Sequence, residues 1–186
     1  MRALWMLIET VGSLLVTACL LRAWAQWVQV HPRNPLLQFL IAVTDWIVKP
    51  LRRVVPGMRG VDWASIVAGL LISLSLATGF VLLTGSALEA TQRAPGAGAV
   101  LVLALVWMVR WSLYALMGLL ILQVIMSWVN PNAPMAPAVD QLVRPFLAPF
   151  RRFIPLVGNF DLTPMVLFLL IQFALMALEP LAFAGF

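Results

Sequence analysis

The sequence predicts an all-α membrane protein with four transmembrane helices. Of its 186 residues, 63% are hydrophobic and only 10% are charged, whereas a soluble domain has about 45–50% apolar and about 25% charged residues. Apolar stretches of about 20 residues, the length that crosses a bilayer, recur along the chain. A short basic phrase bracketed by prolines also occurs twice, each time just before such a stretch. The chain is therefore expected to lie in a membrane.

Four apolar stretches are long enough to span. The first two cover roughly residues 4–28 and 63–84. The third ends near Trp128 and starts between Val100 and Ser112, and the fourth covers roughly residues 162–184. The loop at 84–98 has the glycine- and alanine-rich composition of a connector between the two halves of the chain.

A shorter apolar segment follows the first span and another follows the third. Residues 36–48 lie between Pro35 and Pro50, and their counterpart is residues 135–147. Segments of 10–14 residues are too short to cross a bilayer comfortably. Both are predicted to be amphipathic pieces that lie at the interface or re-enter the membrane, two alternatives that the sequence leaves open.

The basic phrase divides the chain into two similar units. It reads PLRRVVP at 50–56 and PFRRFIP at 149–155, and an aspartate follows each copy at the same distance, Asp62 and Asp161. Residues 1–90 and 91–186 are therefore interpreted as two two-span repeats within one membrane domain, each with the order span, amphipathic segment, basic phrase, span. Because two spans is an even number, the repeats are expected to be parallel and related by an axis along the membrane normal.

The positive charges predict the orientation. With four spans, the loops after the first and third spans face the same side, and the positive-inside rule places that side in the cytoplasm and both termini outside. Eight of the twelve Lys and Arg residues fall in these two loops: Arg33, Lys49, Arg52, Arg53, Arg59, Arg144, Arg151 and Arg152.

The two copies of the phrase are the strongest candidates for a binding site. Guanidinium groups bind phosphate or carboxylate through paired hydrogen bonds, so the arginine pairs are expected to bind anionic lipid headgroups or an acidic partner segment. The alternative is that they only fix the topology. The prolines are expected to disfavour a continuous helix through each phrase and to preset its turns. The residues concerned are Arg52, Arg53, Arg151 and Arg152, with Pro50, Pro56, Pro149 and Pro155.

The acidic residues have mainly structural interpretations. Asp62 and Asp161 each precede a span by one residue, which favours N-capping together with ion pairing to the adjacent arginines. A cation-coordinating role for the two aspartates is the alternative. Charges within spans cost a few kcal/mol when unpaired, so Arg110 is expected to pair with Glu9 or Glu179 near the outer boundary.

Several classes of function are excluded or find no support. The single cysteine, Cys19, cannot form an intrachain disulfide, and with one histidine, His31, a His/Cys metal cluster is excluded. No P-loop, dinucleotide fingerprint or nucleophile signature occurs. We therefore expect no enzyme activity, no cofactor and no metal, and the interspersed basic residues do not indicate nucleic-acid binding.

The doubled proline-bracketed arginine phrase, the following aspartates and the Asn34-Pro35 and Asn130-Pro131 pairs resemble the YggT family, also called YlmG-like. The resemblance covers nearly the whole chain, although Pro145 stands where the first copy has Trp46. It implies a small integral membrane protein of the bacterial cytoplasmic membrane. Bacterial members are associated with osmotic-stress tolerance or cell division, and plastid relatives with cytochrome-complex assembly or nucleoid organisation.

The sequence and the resemblance together favour a non-catalytic assembly or scaffolding factor. Its arginine pairs would bind anionic headgroups and a membrane-protein partner or a second copy of the chain. The competing class is a small ion channel or transporter for osmotic adaptation, formed around Asp62 and Asp161.

Overall fold

The computed structural model describes residues 2–57, 60–88, 96–130, 132–152 and 161–183, and within these it contains helices and no strands. The six helices follow one another as long, short, long, then long, short, long. They are α1 (Arg2–Trp27), α2 (Pro35–Arg52), α3 (Trp63–Leu88), α4 (Ala97–Val129), α5 (Ala136–Phe150) and α6 (Thr163–Phe183).

Four of these helices, α1, α3, α4 and α6, are long and apolar enough to cross a membrane, as predicted. The third span is longer than expected, because α4 has 33 residues. At 1.5 Å per residue it extends about 50 Å, well beyond the roughly 30 Å of a bilayer's hydrocarbon core. Much of the predicted connector at 84–98 is helical, since α3 continues to Leu88 and α4 begins at Ala97. Residues 89–95 lie outside the described residues.

Helices α2 and α5 are the two amphipathic segments. Both bury residues at helical spacing, which produces one apolar face, while large side chains such as Phe39 and Trp46 on α2 remain exposed. Asn34 caps α2, because its Oδ1 accepts from the Leu36 N–H at 3.0 Å. The buried residues are Leu37, Leu40, Thr44 and Val48 on α2, and Ala138, Val139, Leu142, Val143 and Leu147 on α5.

As predicted, no continuous helix runs through the described part of either basic phrase, because α2 ends at Arg52 and α5 at Phe150. The first proline of each phrase nevertheless lies inside its helix. Helix α2 continues through Pro50, and α5 continues through Pro145 and Pro149. Proline leaves the carbonyl four residues earlier without its helical donor, but Pro50 and Pro149 lie on exposed faces. That carbonyl is therefore not forced into the core. Pro56 is exposed after the end of α2.

Two central helices organise the packing. Helix α1 packs against α2, α3 and α4, and α4 packs against α3, α5 and α6. The halves are also joined by polar contacts. Ser73 Oγ on α3 donates to the Ala104 carbonyl on α4 at 2.6 Å, and Asn34 Nδ2 donates to the Pro134 carbonyl at 3.0 Å. In each half the first long helix contacts the two helices that follow it: α1 contacts α2 and α3, and α4 contacts α5 and α6. The axis that would relate two parallel repeats stays a prediction.

Candidate functional site

A buried group of charges joins the three helices of the first half. Arg22 on α1 donates from Nη1 to Thr44 Oγ1 at 2.8 Å and to Asp45 Oδ1 at 2.9 Å, both on α2. Its Nε also lies 3.4 Å from Asp62 Oδ2, at the start of α3. Arg22 is 4% exposed and Asp62 is 1% exposed. One guanidinium therefore holds α1, α2 and α3 together.

Asp62 receives a second arginine from the basic phrase. Arg52, the last residue of α2, pairs with both carboxylate oxygens of Asp62. Asp62 also caps α3, because its Oδ2 accepts from Ser65 Oγ at 2.7 Å and its Oδ1 from the Ser65 N–H at 3.4 Å. Burial raises the pKa of the Asp62 carboxyl, but the hydrogen bonds from Arg52 and Ser65 and the charges of Arg52 and Arg22 outweigh it. The pKa of Asp62 is thus held below its usual value.

Asp45 is shared in a similar way between Arg22 and Lys49, whose Nζ lies 2.8 Å from Asp45 Oδ2 one helical turn away. The hydrogen bond from Lys49 is the largest influence on the pKa of Asp45 and lowers it. Burial acts in the opposite direction and Arg22 lowers the pKa further. The first half therefore places two aspartates around Arg22, with Arg52 and Lys49 at the edges.

The second half repeats the outer part of this arrangement. Arg151, the C-cap of α5, lies 3.0 Å from Asp161 Oδ2 through Nη2, and its Nε donates to the same oxygen at 3.1 Å. Asp161 Oδ1 accepts from the Thr163 N–H at 2.9 Å, at the start of α6. Burial raises the pKa of Asp161, and the hydrogen bonds from Thr163 together with the charge of Arg151 more than offset this, so the pKa is lowered.

The inner part of the arrangement differs, because Gln123 stands where the first half has Arg22. Gln123 Nε2 on α4 donates to Asp140 Oδ1 on α5 at 2.7 Å, as Arg22 does to Asp45. The sequence separation that relates Trp27 to Trp128 also relates Arg22 to Gln123. Gln123 Oε1 is buried and accepts no hydrogen bond from the described residues. The second half therefore lacks the central cation.

A cleft of about 500 Å³ lies at this position. It is bounded by the end of α4, by α5 and by the start of α6. Its polar side chains are Gln123, Asp140, Arg151 and Asp161, and its apolar ones include Trp128 and Met165. Asp140 does not form the ion pair with Arg144 that its spacing would allow, since no such pair occurs among the described residues.

The second member of each arginine pair has a different environment from the first. Arg52 and Arg151 contact their aspartates, whereas Arg53 and Arg152 are exposed and form no ion pair with an acidic side chain in the described part of the chain. Of the phrase's prolines, Pro155 lies outside the described residues. The guanidinium groups that remain available to a ligand are therefore those of Arg53 and Arg152.

The ion pair predicted between Arg110 and Glu9 or Glu179 does not occur among the described residues. The Arg110 guanidinium lies over the Tyr114 ring, 5.6 Å from its centroid, and its Nη2 is 3.3 Å from the Tyr114 hydroxyl. Glu9 on α1 and Arg110 on α4 line one cavity of about 450 Å³ but form no ion pair, and neither does the exposed Glu179. Tyr114 lies one helical turn from Arg110 and supplies a nearer partner than a carboxylate across the cavity.

Sequence reasoning identified both aspartate–arginine corners and missed the contact between Gln123 and Asp140. A signal for Gln123 was present, because the separation of Trp27 and Trp128 also aligns Arg22 with Gln123 once the third span is matched to the first. No three His, Cys, Asp or Glu side chains in the described ranges lie close enough to hold a metal ion.

Comparison with known proteins gives a family. A sequence model described as CCB3/YggT matches residues 1–83 and 102–182. An uncharacterized protein of Pseudomonas aeruginosa is 36% identical over 89% of this chain and 83% of its own length. The uncharacterized protein YggT of Escherichia coli K12 is 35% identical over 92% and 86%, and a protein of Vibrio alginolyticus is 29% identical over 94% and 92%. No solved structure matches the chain.

Proposed function

This chain belongs to the CCB3/YggT family, and we propose that it is a non-catalytic assembly or scaffolding factor of the bacterial cytoplasmic membrane. Its two basic corners, each an arginine pair at the end of an amphipathic helix, would dock anionic lipid headgroups and a membrane-protein partner or a second copy of the chain. Both corners would face the cytoplasm and both termini the outside, in service of osmotic-stress tolerance or cell division.

One observation supports this proposal above the others. In each half the first arginine of the pair is held by an aspartate, Arg52 by Asp62 and Arg151 by Asp161. This contact fixes the end of the amphipathic helix against the next span. The second arginine, Arg53 or Arg152, then projects from an ordered helix end and stays exposed. A cation close to an anionic membrane surface contributes about 1 kcal/mol, so a fixed and exposed guanidinium is suited to docking.

The same contacts weigh against the channel or transporter alternative. An ion pathway around Asp62 and Asp161 needs carboxylates that are free to meet an ion. Asp62 is 1% exposed and contacts Arg52 and Arg22, and Asp161 contacts Arg151. Both carboxylates are therefore already neutralised by guanidinium groups.

The test replaces the exposed arginines in pairs. Arg53→Gln with Arg152→Gln should lose most of the phosphatidylglycerol that the purified protein retains, and should lose any partner that co-purifies from native membranes, at an unchanged protein level. The matched control is Arg33→Gln with Arg144→Gln, which removes two exposed basic residues outside the corners and should behave as wild type.

Three results would contradict the proposal. Equal lipid and partner retention in both double variants would remove the docking role. Disappearance of the Arg53 and Arg152 variant from the membrane would show that these residues only set topology. Ion flux from the purified protein in liposomes, changed by Asp62→Asn with Asp161→Asn, would favour the channel. Reporter fusions at the C-terminus test the orientation, which requires an external signal.

A further inference from the structure

We propose that the two basic corners bind different ligands: α2 and Arg53 bind the anionic surface of a phospholipid leaflet, and α5 and Arg152 do not. The second corner is then left to the protein partner. This inference rests on the docking function proposed above and assigns each corner its part in that function. The observation that carries it is a difference between the exposed faces of the two amphipathic helices.

The exposed face of α2 is aromatic. Phe39 and Trp46 are 62% and 65% exposed, and Arg53 at the end of the helix is exposed as well. These three residues are spaced by seven positions, about two turns of an α-helix, so they lie on one face. The opposite face of α2 is already buried against the rest of the chain. Because large aromatic side chains in water are unfavourable, the exposed face is suited to an apolar surrounding.

The position of α2 brings this face to a membrane boundary. Helix α2 packs against α1 and α3, and Asp45 near its middle pairs with Arg22, close to the end of the first span. The same arginine reaches Asp62 at the start of the second span. Trp27 and Trp63, at these two span ends, are 57% and 46% exposed, and tryptophan concentrates where headgroups meet hydrocarbon. The aromatic face of α2 therefore lies at the level of the headgroups.

The cations of α2 select an anionic surface. Lys49 follows Trp46 by three residues and its side chain is 74% exposed, but it shares its charge with Asp45. Arg53 forms no ion pair with an acidic side chain in the described ranges. A helix that carries Trp or Phe beside Lys or Arg is typical of segments that lie in the headgroup region of anionic membranes. The face thus combines two apolar anchors with an unpaired guanidinium.

The exposed face of α5 lacks such anchors. No large apolar side chain of this helix, which is described throughout, is exposed. In the register set by the two basic phrases, Pro145 stands where α2 has Trp46. Polar and charged groups lose hydration when they enter hydrocarbon, so the α5 face fits water or a polar protein surface. Its exposed polar residues are Asp140, Gln141 and Arg144.

Two exposed alanines provide matched labelling sites. Ala42 lies on the aromatic face of α2, between Phe39 and Trp46, and Ala148 lies on the exposed face of α5. Ala42→Cys and Ala148→Cys, each combined with Cys19→Ala, would carry one spin label in vesicles of dioleoyl-phosphatidylglycerol and dioleoyl-phosphatidylcholine. Molecular oxygen concentrates in hydrocarbon, and a nickel chelate stays in water. We expect the label on α2 to relax mainly with oxygen and the label on α5 mainly with nickel.

Single variants measure the lipid bound by each corner. Arg53→Gln should lower the dioleoyl-phosphatidylglycerol that the purified full-length protein retains by about fivefold, the factor given by about 1 kcal/mol per basic residue at an anionic surface. Arg152→Gln is the matched control and should retain as much of this lipid as wild type. Trp46→Gln should also lower retention although it removes no charge, because it removes an anchor of the α2 face.

Equal access of oxygen and nickel to the two labels would overturn this division of the corners. Equal loss of phosphatidylglycerol from Arg53→Gln and Arg152→Gln, or a greater loss from the second, would do the same while leaving the general docking function intact. If the double variant at positions 53 and 152 retains lipid and partner as wild type does, the docking function itself is wrong, and this inference fails with it.

Discussion

Arg22 on α1 donates to Asp45 on α2 at 2.9 Å although the two residues belong to different helices and Arg22 is almost wholly buried. An arginine in an apolar span is costly unless it is paired. Here the pairing links the span to an amphipathic helix and, through Asp62, to the next span. The buried Arg22 charge therefore holds α1, α2 and α3 of the first half together.

Arg22→Gln should therefore destabilise the protein strongly. Removing the buried guanidinium leaves Asp62 with Arg52 alone and Asp45 with Lys49 alone, and breaking a buried ion pair typically costs about 3–5 kcal/mol. Thermal unfolding in detergent measures the effect as a lowered Tm. Arg33→Gln, which removes an exposed arginine, is the control and should leave the Tm unchanged. A variant at position 22 as stable as this control would show that the buried network contributes little.

Asp62 and Asp161 should respond unequally to the same substitution. The Asp62 side chain is 1% exposed and meets two arginines, whereas that of Asp161 is 29% exposed and meets one. Asp62→Asn should cost about 3–5 kcal/mol as a broken buried pair, and Asp161→Asn about 1 kcal/mol or less, since partly exposed pairs contribute little. Unfolding midpoints of the two variants, compared under one detergent condition, check the order. Equal losses would mean that burial does not set the difference.

The sequence predicted the four spans well because length and hydropathy alone determine whether a helix crosses a bilayer. It also predicted that Asp62 and Asp161 would lie beside their arginines. Each aspartate follows its arginine by only ten residues, which keeps the two side chains close. It did not predict that α2 and α5 continue through their prolines, because the cost of a proline depends on whether the freed carbonyl faces outward. That is a property of packing.

The difference between Arg22 and Gln123 was harder to foresee for a related reason. The resemblance between the halves is clearest in the basic phrase and weak in the spans, so the shared spacing of Trp27 and Trp128 is a faint signal that the two side chains are counterparts. The cleft beside Asp140 was not foreseen either. Such a cavity depends on the volume left between helices, which periodicity does not report.

Arg110 and Glu9 should behave as energetically independent residues. Both line one cavity, but the guanidinium contacts Tyr114 and forms no ion pair with Glu9. A double-mutant cycle of Glu9→Gln and Arg110→Gln should give a coupling energy below about 0.5 kcal/mol, the range of additive sites. Arg110→Gln and Tyr114→Phe should couple more strongly. Strong coupling between Glu9 and Arg110, with rescue by exchanging their charges, would restore the ion pair predicted from the sequence.

Acid should weaken the bundle through its aspartates. The pKa values of Asp45, Asp62 and Asp161 lie below the usual value in the folded protein. In the unfolded chain an aspartate has the pKa of a model peptide, about 3.9. The folded state thus binds fewer protons, so the stabilisation is fully present above about pH 4 and is lost as the pH falls through the folded pKa values. Unfolding midpoints measured between about pH 7 and pH 3 should fall at the acid end. Asp62→Asn should be less stable at neutral pH and should show a shallower decline. A decline of wild-type steepness in that variant would place the acid-sensitive group elsewhere.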